Sequence, residues 1–474
     1  MVYTRLRRKV RRDLFCVGEE VRVLRRLICS LFLIGLAMTA LSAPPSAAAP
    51  KPSVDFDGDG LIDVASGAYD QIDVAYGTGT SVWIGWRSFS ATEVGSLGQS
   101  MAAHDLNGDG YTDLVVGSPN HTVGGKTPGA VFILYGSERG LRTDNVRRLS
   151  ASTSYSDALG WSVAVMVGSP TLIVASAPGL TVSGHKRAGA LAVWPVDDSG
   201  VPGKRTTVTE NSSGIPGVSE AGDEFGYSIA ASGSTLVVGT PYENVGKLVD
   251  AGTITVLERK GAVGFKGVGI SQNSSGVPGA AESHDQFGFS VAIDRGWIAA
   301  SAPWETVGKV QETGAVQLFR YQAGSLKPKP GASIHQNSPG VPGANERIDH
   351  FGEHLLVLRC GAGASLAIGT PIEKVGKKNN AGLVTVVPLG SGSKCPARSY
   401  DGSAFGGAVE SEGVVGYGIG LVRTASDHDD LLAVATKKSD SLVGRVDPVT
   451  GKRVATYRSL WGSSEITGFA NPAS

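Results

Sequence analysis

Long apolar runs are scarce in this 474-residue chain: beyond residue 43 nothing is apolar for 18 residues together, so no later segment reads as a membrane-spanning helix. Charge is scarce too, at 18% of residues, and it balances at 43 basic to 43 acidic. That balance removes the broad basic field which sequence-independent nucleic-acid binding needs, so nucleic acid is excluded as a partner. No amphipathic helix pattern recurs. The 66 glycines and 23 prolines exclude a helix bundle or coiled coil and suit many short strands joined by tight turns.

The N-terminus stands apart. Residues 1–26 hold nine Lys or Arg against three acids, then comes the apolar run 27–43 and the small-residue stretch SAAAP at 46–50. This order predicts a secretory signal peptide over 1–49, cleaved after Ala49 or Ala43, with an uncleaved membrane anchor as the alternative. The protein is therefore expected to be secreted, and residues 50–474 to carry a net charge of −6. Only Cys360 and Cys395 remain there. In an exported protein such a pair reads as a disulfide before two free thiols, and two cysteines cannot complete a zinc site.

A repeat of about 64 residues organises the rest. Openings occur at Leu97-Gly98, Leu159-Gly160, Phe225-Gly226, Phe287-Gly288, Phe351-Gly352 and Tyr417-Gly418, spaced 62, 66, 62, 64 and 66 residues apart. Each precedes a strand-like stretch such as GYSIAA, then an apolar strand ending in Gly-Thr-Pro or Ser-Ala-Pro, an alternating third strand and a weaker fourth. With residues 51–96 this makes seven units, starting near 51, 97, 159, 225, 287, 351 and 417. Such units bury their faces on one another, so the reading is all-β: a seven-bladed β-propeller of four-stranded antiparallel blades spanning 50–474. A sandwich array is the rival. The first unit lacks an inner strand, which either residues 53–55 or residues 466–470 should supply.

Two hairpins carry metal-binding chemistry, DFDGDGLID at 55–63 and DLNGDGYTD at 105–113. Oxygens at positions 1, 3, 5 and 9, a carbonyl at 7 and Gly at 6 suit Ca²⁺. The ligands would be Asp55, Asp57, Asp59 and Asp63 with the Leu61 carbonyl, and Asp105, Asn107, Asp109 and Asp113 with the Tyr111 carbonyl. An EF-hand is excluded, because position twelve is Ser66 or Val116 rather than Glu and the flanks alternate as strands. A metal-free acidic hairpin is the alternative, with the carboxylates left to repel one another. Asp427, Asp429 and Asp430 cluster without a glycine frame and read as solvated charge.

The Phe-Gly opening, the D-x-[DN]-G-D-G-x-x-D hairpin and the Gly-Thr-Pro close together resemble the FG-GAP repeat family, known from the integrin α-subunit propeller. The resemblance spans about residues 54–450 and implies a seven-bladed propeller with calcium in its inner hairpins. The chain departs from integrins in having calcium loops only in its first two units and no leg domains, and it is similar to secreted bacterial members.

Two loop signatures recur. One is NSSGIPGVSEAGDEFG at 211–226, repeated at 273–288 and 337–352; the other is PYENVGK at 241–247, repeated at 303–309 and 371–377. Strand alternation puts both on the face opposite the acidic hairpins. Tyr242, Glu243, Lys247, Trp304, Glu305, Lys309, Glu373 and Lys377 are the candidate contacts there for an extracellular protein or glycan. The competing reading is that these motifs shape the crossings between blades.

Enzyme signals are poor. GWSVA lacks the last glycine of a nucleophile elbow, and VGGKT at 123–127 has Asn120 where a phosphate loop needs its first Gly. The expectation is a monomeric, calcium-stabilised binding, adhesion or scaffold protein without catalytic activity. The alternative is a propeller enzyme, a polysaccharide lyase or hydrolase, using His284, Asp285, His350 and Asp349.

Overall fold

The computed structural model describes residues 54–68, 71–78, 81–85, 96–150, 157–422, 429–435, 442–458 and 466–472. The expected leader, 1–49, lies outside them, as does Asp427. Among the described residues every regular element apart from a short 3-10 turn at Gly402–Phe405 is a strand, and the chain is an all-β propeller of four-stranded antiparallel blades. Among the described residues no helix is long and apolar enough to cross a membrane.

The described strands form six sheets rather than the seven blades expected from the repeats. Sheet 1 has eight strands, because Ile466–Pro472 pairs antiparallel with Val64–Ala68 and parallel with Ser100–His104, so the first two units share one continuous sheet. The C-terminal segment, and not residues 53–55, thus supplies the strand missing from the first unit. Sheets 2 to 6 are four-stranded, with inner strands Val163–Met166, Ser228–Ser232, Val291–Asp294, His354–Cys360 and Ile419–Val422. Each inner strand touches the next around the axis, and Ile419–Val422 touches Ile466–Pro472.

Burial explains the composition of the strands. Second and third strands such as Thr235–Thr240 and Ala190–Val196 are covered on both faces by neighbouring sheets, so they read as continuous apolar runs rather than alternating ones. Buried clusters span successive sheets, one joining Leu191, Val193, Phe225 and Leu236, the next Val237, Ile254, Phe287 and Ile298. The opening phenylalanines Phe225, Phe287 and Phe351 are at most 1% exposed. Outermost strands are short or polar: Arg147–Leu149 exposes two arginines, and Lys329–Ile334 exposes Lys329 and Pro330. Charge and proline on an edge discourage pairing with another chain.

The opening motif has a steric cause. Gly239, in the Gly-Thr-Pro close of one unit, has the Gly288 carbonyl of the following unit where a Cβ would stand. In the last unit this turn is made by Val415-Gly416, with Gly416 at φ +97° and Val415 bridging Gly382, two residues before the Tyr417-Gly418 read from the sequence.

Two cross-links reinforce sheet 5. Cys360 and Cys395 form a disulfide with Cα atoms 5.6 Å apart. Asp430, read from sequence as solvated, is fully buried: it accepts from Arg359 N at 2.7 Å and pairs with the Arg359 guanidinium at 3.2 Å, tying sheet 5 to sheet 6.

Candidate functional site

The acidic loops of the two units in sheet 1 follow one plan: 105–113 joins Ser100–His104 to Asp113–Ser118, and 55–63 leads into Val64–Ala68, whose inner neighbour comes from the C-terminal strand. Asp55 takes the amides of Gly58 and Gly60 on its two oxygens, at 2.7 and 3.0 Å; Asp105 does the same with Gly108 and Gly110, at 2.8 and 2.9 Å. Gly60 and Gly110 sit at φ +81° and +92°, a region closed to most side chains, which is why position six is glycine. The ninth residue anchors the hairpin to the sheet. Asp63 accepts from Phe56 N and Gly77 N at 2.7 and 2.8 Å, and Asp113 from Leu106 N and Gly136 N at 2.8 and 2.9 Å. Burial pushes both carboxyls up to about 7 despite these amide donors.

The donor set is all oxygen, as a hard cation requires. Carboxylate oxygens of Asp55, Asp57 and Asp63 lie within 4.8 Å of one another, while Asp59 is turned toward Leu61 N. In the second hairpin Asn107 replaces one acid, and its amide donates to Asp109 at 2.9 Å. Leu61 is exposed, and the Tyr111 ring lies over Gly58, so the two hairpins touch.

At the other end of the strands both signature loops meet. Asn211, Asn273 and Asn337 brace their loops by accepting from the amides of Ser219, Ala281 and Asn345. Asp285 and Asp349, two of the four residues of the enzyme alternative, accept from Glu282 N and Glu346 N at 2.5 Å. The other two take separate partners: His284 stands 3.2 Å from Asp250, and His350 3.6 Å from Glu312 and against Trp304. Glu305 and Glu373 turn inward to accept from Gln272 at 2.6 Å and Gln336 at 2.7 Å. Lys247, Lys309 and Lys377 stay exposed at small turns whose glycines, Gly246, Gly308 and Gly376, have positive φ. The glutamates and lysines of PYENVGK and its copies are therefore not one mixed surface.

Tyr242 and Trp304 do converge, on residues the sequence reading passed over. The residue after each opening glycine heads an inner strand: Gln99, Trp161, Tyr227, Phe289, Glu353 and Tyr417 ring one mouth of the axial channel, which encloses about 390 Å³. Ring centroids run Trp161–Tyr227 at 5.4 Å, Tyr227–Phe289 at 5.0 Å, Phe289–Trp304 at 4.9 Å and Trp304–His350 at 4.8 Å, with Tyr242 edge-on to Tyr227 at 5.7 Å. Desolvation lifts Glu353 to about 7. The signal was present in GWS, GYS and GFS, where the same strand position is aromatic three times running. Below the mouth the channel lining is mixed, with Met101, Val163, Ile229, Val291, Leu355 and Ile419 beside Ser228, Ser290, His354 and Asp294.

These features define a β-propeller that carries FG-GAP repeats. Residues 97–134 match the FG-GAP repeat, and 215–254 and 272–319 match a second profile of the same description. Among curated proteins the chain is similar to phosphatidylinositol-glycan-specific phospholipase D of Mus musculus, 30% identical over 167 residues, and to that of Rattus norvegicus, 29% identical over 167 residues. Each match covers 32% of this chain and 19% of the relative's own length.

Proposed function

We propose that the protein is a secreted, calcium-loaded binding scaffold rather than an enzyme, and that it recognises an extracellular glycan or glycan-bearing protein at the aromatic mouth of its channel. The observation that carries this reading is the arc of five rings from Trp161 to His350, each in tilted or edge-on contact with the next. Aromatic faces offer sugar rings a flat apolar platform, while Gln99 and Glu353 supply the few polar groups that fix orientation. The fold is consistent with an integrin-like scaffold. Calcium in the hairpins 55–63 and 105–113 would neutralise their clustered carboxylates and brace the first two units.

The test is a glycan-binding screen of the purified protein with and without calcium, repeated on W161A and on the hairpin variant D59A/D109A. We expect W161A to lose binding with its melting temperature unchanged, and D59A/D109A to bind two fewer calcium ions and to melt several degrees lower. Glycan binding that survives W161A sinks the assignment to the channel mouth, and an unchanged calcium count sinks the hairpin sites. The curated relatives favour one further reading, cleavage of a phosphatidylinositol glycan. Turnover of that substrate by the purified protein would replace binding with catalysis.

A further inference from the structure

The polar contact between signature loops occurs three times, and one copy differs. The residue preceding the Asn-Ser of each crossing is Glu210, Gln272 or Gln336. In the later two copies the glutamine amide donates to the glutamate of the neighbouring loop, Gln272 to Glu305 and Gln336 to Glu373. In the first copy the donor is gone. Glu210 faces Glu243 and Asp223, and oxygens of all three carboxylates lie within 4.8 Å of one another.

The side chains are held there by their surroundings. Glu210 is 4% exposed and Asp223 1%, and Oε2 of Glu210 and Oε2 of Glu243 are buried with no hydrogen-bond partner among the described residues. Asp223 accepts from Glu220 N at 2.6 Å through Oδ2. Gly217, at φ +97°, leaves open the space beside Glu210 Oε1 that a Cβ would take. Burial is the main cause that pushes Glu210 up to about 9, Glu243 to about 8 and Asp223 to about 6; behind it, Glu210 is repelled by Glu243, Asp223 and Glu220, Glu243 by Asp223 and Glu220, while the Glu220 amide holds Asp223 back. Three buried carboxylates need positive charge, a metal ion or shared protons, to stay together, and an orphaned buried oxygen is costly.

We propose that Glu210, Asp223 and Glu243 form a cation site, separate from the acidic hairpins, that takes a hard divalent ion such as Ca²⁺ or Mn²⁺. Its ligands come from three pieces of chain: the end of the outer strand of sheet 2, the crossing into sheet 3, and the loop between the second and third strands of sheet 3. A bound ion fastens sheet 2 to sheet 3 where an amide hydrogen bond fastens the next two junctions. Three carboxylate oxygens with no nitrogen or sulfur suit Ca²⁺, Mg²⁺ or Mn²⁺ and not Zn²⁺.

The other two copies supply the control. Glu210→Gln recreates the pairing already used at Gln272 and Gln336, so the variant should fold. The experiment is equilibrium dialysis of the full chain against calcium alone and then manganese(II) alone, followed by counting of bound ions, for wild type, E210Q, D59A/D109A and the triple variant. We expect E210Q to bind one ion fewer than wild type, the triple variant one fewer than D59A/D109A, and E210Q to melt at or above the wild-type temperature in chelator. Equal counts of both ions within each pair overturn the proposal. So does a D59A/D109A protein that binds neither ion, a result independent of whether E210Q folds. Equal counts together with a wild type that gains stability on acidification would show a shared proton in place of the metal.

Discussion

At the scale of single residues, the inward-facing glutamates set the pH response of the crossings. Burial, opposed by the Gln336 amide and assisted by Asp349 and Glu346, raises Glu373 to about 7 from an ordinary 4.5. Between about pH 4.5 and 7 the unfolded chain has lost that proton while the folded one keeps it, so this group's contribution to stability falls as pH rises through the window. E373Q does not titrate. Its urea midpoint should drop less than wild type's between pH 5 and pH 8, with a gain on the order of 1–3 kcal/mol at the upper end. Burial also depresses His354, which weakens the fold on acidification, but both proteins share that effect. Parallel curves for the two proteins would show that Glu373 is already ionised. Sequence alone made Glu243, Glu305 and Glu373 candidates for an outer surface. The inward turn of Glu305 and Glu373 depends on a glutamine some 30 to 40 residues earlier in the chain, a pairing that no local pattern records.

At the scale of elements, the repeat was legible because its cause is steric. Opening glycines and strand-closing glycines meet across units, and phenylalanines fill the gap between sheets, so the same residue types must return at the same places. F287A should cost roughly 3–5 kcal/mol in chemical denaturation, because Phe287 is 1% exposed within the cluster of Val237, Ile254 and Ile298. A loss under 1 kcal/mol would mean that the cluster collapses around the gap. The last opening was misplaced by two residues because Val415 is neither the Leu nor the Phe of the other openings, while Tyr417-Gly418 two residues on imitates the motif. The reading of Asp430 as solvated failed in the same way, since charge usually faces water and only the fold brings Arg359 to it.

At the scale of the whole molecule, the sheet count departed from the repeat count for one reason. The strand Ile466–Pro472 lies between Val64–Ala68 and Ser100–His104 and merges two units into one sheet. Alternation within a segment predicts a strand, but not that it will hydrogen-bond on both sides. Removing residues 466–472 should leave two edges bare, and the shortened protein should melt at lower temperature or aggregate, as read by size-exclusion chromatography with thermal denaturation. A truncated protein with the parent's melting curve would show that the remaining strands close unaided. The same strand sets a timetable for synthesis. Ser66 waits for Phe469, about 400 residues later, so contacts of the greatest sequence separation are also the ones that seal the circle. While the chain is being made, the inner edge of Val64–Ala68 therefore stays unpaired until Ile466–Pro472 arrives.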